Sequence, residues 1–146
     1  MRLLAIALVL AGCTATPPVA PATTPGTTLV TVDRSFPADA TIEVQVVAGQ
    51  RIMQNGQPLT ELRVEAGKEY LFRVTNTSAG TEQHNFYIGK AEDLAARKID
   101  HLTGVPIFID GSQEFVYTFE SDQAPLQFAC VLAGHYGPMH GDFIIE

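Results

Sequence analysis

Cys130, His135 and Met139 fall within the ten-residue segment Cys130-Val-Leu-Ala-Gly-His135-Tyr-Gly-Pro-Met139, and His84 stands upstream in His84-Asn85-Phe86. A thiolate, two imidazoles and a thioether form a complete ligand set for copper. Thiolate favours Cu(I) and imidazole suits both oxidation states, so a trigonal plane of Cys and two His with a weak axial Met suits electron transfer. Each residue alone is ordinary. A strand Cys is most often a small buried hydrophobe, a lone His a hydrogen-bonded rim residue, and a lone Met packing. What points to a metal is the combination: a Cys ending an apolar strand, a His five residues on, a Met four after that, and a His on another strand. The other two histidines are read differently. His101 is expected to cap or face solvent, and His140, adjoining Met139, to point away from the same metal.

Strands must carry these side chains. From Leu29 onward, short β-branched and aromatic runs alternate between Gly, Pro, Asn and Asp clusters. The period-two patterns are Ile42-Val44-Val46, Leu62-Val64, Tyr70-Phe72-Val74, Phe86-Ile88, Phe115-Tyr117-Phe119, Leu126-Phe128 and Phe143 to Ile145. Asn55-Gly56, Ala66-Gly67 and Asp110-Gly111 punctuate them as turns. Ala91 to Ile99 is the one helical candidate, with Leu94 facing the core and Glu92, Asp93, Arg97 and Lys98 facing water. About seven to eight strands at this spacing predict an all-β, two-sheet antiparallel sandwich with one short helical segment. Parity puts Cys130 on the side of Phe128 and Leu126, and His84 on the side of Phe86 and Ile88, so both ligands are expected to point inward near strand ends. Asn85 can tie the His84 strand to the Cys130 loop.

The remaining sequence sets the compartment. Met1-Arg2 followed by apolar Leu3 to Ala11 and Gly12-Cys13 reads as a secretion signal, and Leu10-Ala11-Gly12-Cys13 resembles the lipobox of bacterial lipoproteins. Residues 1–12 are expected to be removed and Cys13 lipidated, which places the protein outside the cytoplasm on a membrane. Residues 13–28 then form the anchor and a Pro/Thr-rich linker, able to extend about 45 Å at ~3.1 Å per residue. Residues 29–146 form the folded domain. Of the two Cys, Cys130 is then a lone thiol in an oxidising compartment, and metal ligation gives it a reason. With 146 residues there is room for one domain, and a formal net charge of −7 argues against nucleic acid as a partner.

Over most of Ile42 to Glu146 the chain resembles the cupredoxins, or blue copper proteins. Cys130, His135, Met139 and Gly141 match the azurin-like loop Cys-x4-His-x3-Met-x-Gly, and His84-Asn85-Phe86 matches the upstream ligand motif. Leu62-Arg-Val-Glu-Ala-Gly-Lys-Glu-Tyr-Leu-Phe-Arg-Val-Thr-Asn76 is similar to the family's strand, Gly turn, strand and Asn pattern. The resemblance implies a Greek-key sandwich and one mononuclear type 1 copper. It assigns His84, Cys130 and His135 as equatorial ligands, Met139 as the axial one, and the backbone N–H groups of Asn85 and Leu132 as donors to the thiolate. The chain departs from azurin in lacking a structural disulfide and a long insertion between the ligand segments. Gln83 stands where azurin has a Gly.

The expected function is a lipid-anchored electron carrier that meets redox proteins by brief contact near His135. The loop there, Leu132, Ala133, Gly134, Tyr136, Gly137 and Pro138, is uncharged. The alternative is a copper carrier or buffer that delivers the ion to an acceptor. An enzyme is not expected. His101 and His140 cannot furnish a second copper centre, a dinuclear site needs a second Cys in the loop, and no Ser-His-Asp arrangement or phosphate loop is present.

Overall fold

A computed structural model of the chain describes residues 38–78 and 80–146. The expected signal (1–12), the anchor and linker (13–28) and the first residues of the expected domain lie outside the described residues. In chain order the strands are Ala40–Val47 (β1), Arg51–Gln54 (β2), Gln57–Pro58 (β3), Glu61–Val64 (β4) and Glu69–Asn76 (β5). They continue as His84–Gly89 (β6), Thr103–Phe108 (β7), Gly111–Thr118 (β8), Gln127–Ala129 (β9) and His140–Ile145 (β10). One helix, Ala91–Ala95 (α1), and a 3₁₀ turn at Ser121–Gln123 complete the described elements.

Two five-stranded sheets face each other, ordered β3-β2-β1-β5-β8 and β4-β10-β9-β6-β7. Alternation makes the core: Ile42, Val44 and Val46 of β1 and Tyr70, Phe72 and Val74 of β5 are buried on the inner side of the first sheet. Across from them Phe86, Phe128 and Phe143 come from the second. Phe72 stacks on Phe115 with ring centroids 5.0 Å apart, and Phe86 on Phe128 at 5.7 Å. Offset aromatic contacts of this kind add to the burial of the rings themselves. Gly141 is required by this packing, since a Cβ there would run into the Phe128 ring, which faces it across β9 and β10.

The structure departs from the sequence expectation in three ways. The described residues form ten strands rather than seven or eight. The additions are the β2–β3 hairpin, whose turn places Asn55 and Gly56 at φ 51° and 76°, and β7. Second, the sandwich is mixed, because β1 pairs with β5 and β4 with β10 in parallel. Alternation reports which face is buried but not the direction of the neighbouring strand. Here the chain crosses from the first sheet to β4 in the second and returns as β5. Third, the helix stops at Ala95 instead of Ile99, and Arg97 has a left-handed φ of 58°. Leu94 is buried as expected, but in a second cluster with Tyr87, Ala129 and Val131 on the outer side of the β6–β9 sheet.

Hydrogen bonds fix which end is which. Asp39 N–H reaches Glu69 O at 3.0 Å and Ala66 N–H reaches Glu146 O at 2.9 Å, so the first described residues and the carboxyl terminus share one pole. Asn76, at the other end of β5, bonds to the backbone of Glu82 and Phe108 beside His84.

Candidate metal centre

His84 is the first residue of β6, the one strand among those described whose every position is buried. Phe86 and Ile88 enter the sandwich core, while Tyr87 joins Leu94, Ala129 and Val131 outside it. The strand is therefore gripped on both faces. Its pairing with β7 slips between His84 and Phe86, yet His84 keeps the parity of Phe86 and is fully buried.

Cys130 directly follows β9 and lies in the same core cluster as Leu126 and Phe128. The segment beyond it folds back on itself. His135 N–H donates to Leu132 O at 2.9 Å, Met139 N–H to His135 O at 2.9 Å, and Cys130 N–H to Met139 O at 3.0 Å. Gly134 allows the tight path with a φ of 82°. Cys130 and Met139 thus meet through their backbones at the loop's base, with both side chains fully buried in one cluster. His135 is at the tip, half-buried.

Three of the expected donors converge. Cys130 Sγ lies 3.5 Å from His135 Nδ1 and 4.0 Å from His84 Nδ1, and all three ligand atoms fall within 4.8 Å of one another. Three donors in a plane around an ion, with bonds of about 2.0–2.3 Å, would be roughly 3.6 Å apart. The triangle is thus nearly the size a metal requires. Among the described residues no other group of His, Cys, Asp and Glu is arranged to hold a metal ion. His101 sits apart, with Nε2 3.5 Å from Asp93 Oδ2. His140 turns its Nδ1 toward the carbonyls of Tyr136 and Gly137, at 2.9 and 3.0 Å, and stacks on the Tyr136 ring.

The environment of the sulfur is divided between opposing effects. Burial pushes the Cys130 thiol up from its ordinary value, while hydrogen bonds from the backbone at Asn85 and Leu132 pull it down. These donors stabilise a thiolate, and metal binding displaces the thiol proton. The Asn85 side chain bridges the two ligand segments: its Oδ1 accepts from Val131 N–H at 2.7 Å. His84 is pushed below its ordinary range by burial, with Glu82 opposing the shift and His135 reinforcing it.

Two groups at the site went unread in the sequence. Ser78 Oγ is 3.1 Å and Glu82 Oε1 is 3.6 Å from His84 Nε2. Glu82 shares the parity of His84 two residues on, a signal available beforehand, whereas Ser78 arrives through a loop that no periodicity describes. Gln83 is exposed. Cys130 is the free cysteine among the described residues, and Cys13 lies outside them.

No protein-family model matches the chain, and no curated protein matches its sequence. Solved structures do resemble it. Auracyanin A, described as a "blue" copper protein from Chloroflexus aurantiacus, is 23% identical, with 73% of this chain and 98% of that one covered at a TM-score of 0.56. An auracyanin from Roseiflexus castenholzii is 22% identical, covering 75% of this chain and 99% of that one at 0.56. An azurin from Methylomonas sp. strain J is 15% identical, covering 75% and 99% at 0.61. The fold is the cupredoxin sandwich.

Proposed function

We propose that this chain is a mononuclear blue copper protein that carries single electrons between redox partners outside the cytoplasm. The observation that carries the reading is the triangle of Cys130 Sγ, His84 Nδ1 and His135 Nδ1 within 4.8 Å, set in the cupredoxin fold. In this reading the three are the equatorial ligands and Met139 is the axial one. Bound copper would supply the one-electron couple, with Cu(I) and Cu(II) held in a geometry that changes little between them. The chain's own part is to hold its donors still. Asn85 locks the Cys130 segment to β6, the N–H groups of Asn85 and Leu132 offset the thiolate charge, and two layers of packing fix β6 and β9.

His135 is the half-buried ligand, and the surface around it suits brief encounters. Leu132 and Ala133 line shallow grooves that continue to Pro106 and Ile107, and Arg97 is the only charged residue lining them. Ile107 and Ile109 are exposed at 55% and 44%. Weak redox complexes use small interfaces of this kind. Full burial of His84 and Cys130 supports retention of the metal over delivery to an acceptor. Lipid on Cys13, followed by the Pro/Thr-rich linker, would hold the domain at a membrane surface.

The test is spectroscopic. Cu(II) added to the protein is expected to give an intense visible thiolate-to-copper band and a narrow copper hyperfine splitting, and Cys130→Ser to abolish both. An equally blue Ser variant, or a tetragonal spectrum from the unaltered protein, would refute the assignment.

A further inference from the structure

His84 is completely buried, so a proton on its second ring nitrogen needs a protein acceptor. Ser78 Oγ at 3.1 Å and Glu82 Oε1 at 3.6 Å both stand at that nitrogen, Nε2. Both come from the connection between β5 and β6, and Asn76 secures it. The Asn76 amide, itself buried, donates to the carbonyls of Glu82 at 3.0 Å and Phe108 at 3.2 Å, and its Oδ1 accepts from Ser78 N–H at 2.9 Å. Phe108 is in turn the residue paired with His84 across β6 and β7. One buried amide therefore holds Ser78, Glu82 and the His84 strand in register.

The chemistry follows from the ring. Nδ1 faces Cys130 Sγ, and its lone pair is free only when the hydrogen resides on Nε2. An acceptor at Nε2 selects that tautomer and increases the basicity of the other nitrogen, as carboxylates do behind metal-bound imidazoles. We propose that Ser78 and Glu82 are positioning residues for His84: they fix its Nε2–H tautomer, aim Nδ1 into the ligand triangle, and through the Glu82 carboxylate favour the higher oxidation state of the bound metal. The last part rests on the copper reading, while the tautomer assignment stands without it.

Long-range ¹H–¹⁵N spectra of the metal-free full chain in mild detergent decide the tautomer. The unaltered protein is expected to show His84 as Nε2–H, and the double variant Ser78→Ala/Glu82→Ala, which removes both acceptors, to lose that preference at least threefold. An Nδ1–H ring in the unaltered protein, or an unchanged preference in the double variant, overturns the positioning role. With copper bound, the reduction potential tests the charge. A partly exposed carboxylate one imidazole ring from the metal is expected to change the Cu(II)-to-Cu(I) affinity ratio about fivefold. That is a rise of about 40 mV in Glu82→Gln, at 59 mV per tenfold for a one-electron couple. Glu82→Asp, which keeps the charge, should stay near the original potential, and the melting temperature of the metal-free Gln variant should not move. Equal potentials for the Gln variant and the unaltered protein overturn the electrostatic role. A protein that takes up no copper refutes the copper reading and the electrostatic role together, while the tautomer spectra still decide the positioning.

Discussion

Replacing Asn85 with Leu, a side chain of similar size, should weaken both the fold and the site. Asn85 is 2% exposed, and its Oδ1 accepts from the Val131 N–H at 2.7 Å. Leu removes the acceptor and leaves that buried donor without a partner. The cost of such an orphan is about 1–3 kcal/mol. Taking 2 kcal/mol, and about 4 °C per kcal/mol for a domain of roughly this size, the metal-free protein should melt about 8 °C lower. Val131 follows Cys130, so loosening it also disturbs the thiol. Metal affinity should fall roughly 10–100-fold, as is usual when a residue orienting a ligand is lost. Denaturant unfolding of the metal-free protein measures the first effect, and competition with a chelator of known affinity measures the second. Glu61→Gln is the control. It breaks an exposed ion pair with Arg63, 3.1 Å long, whose side chains are 50% and 64% accessible, and solvent screening leaves such a pair little effect on stability. If Asn85→Leu loses no more stability than this control, or binds metal undiminished, the view of Asn85 as the clasp between the ligand segments is wrong.

Met139→Leu should keep the blue colour and raise the reduction potential by about 60 mV or more, a tenfold shift toward Cu(I), because an apolar group replaces a weak axial donor; voltammetry at an unchanged potential would move the axial role elsewhere. Cys13→Ala should release the protein from membranes or block its processing, yet leave the copper spectrum intact, because each buried lipid CH₂ contributes about 0.8 kcal/mol to anchoring. Fractionation and mass spectrometry check this, and unaltered protein found wholly soluble and without lipid would remove the anchor.

The readable parts of the chain were those in which a side chain's burial follows from its own strand. Ile42-Val44-Val46 and Tyr70-Phe72-Val74 alternate without interruption and became β1 and β5. The same parity placed Cys130 beside Leu126 and Phe128 in the core. Strand β7 escaped because Gly104 and Pro106 interrupt it; Pro is tolerated there because β7 lies at the sheet edge. The parallel pairs escaped because strand direction depends on the path of the connections, which leaves no periodic mark. Helix length was misread at Arg97, whose left-handed backbone reflects local geometry that side-chain polarity does not report.

What the sequence conveyed least was the depth of support behind the candidate ligands. A strand in a two-sheet sandwich ordinarily buries one face and wets the other, yet all six positions of β6 are buried. The outer face is covered because α1 and the segment after β9 lay Leu94 and Val131 over Tyr87 and Ala129. Tyr87 and Ala129 are paired across β6 and β9, as are Ile88 and Phe128 on the inner side. The two strands that carry His84 and lead into Cys130 are therefore locked to each other by both of their faces and by Asn85. In the proposed role of electron carrier the donor atoms must stay in place while the charge among them changes. Short side chains at the ends of doubly buried strands meet that need better than long ones on a loop would. Half-buried His135 sits at the tip of a loop that is closed at its base by the Cys130–Met139 backbone bond at 3.0 Å, so the candidate ligand nearest solvent is tethered to those at the core.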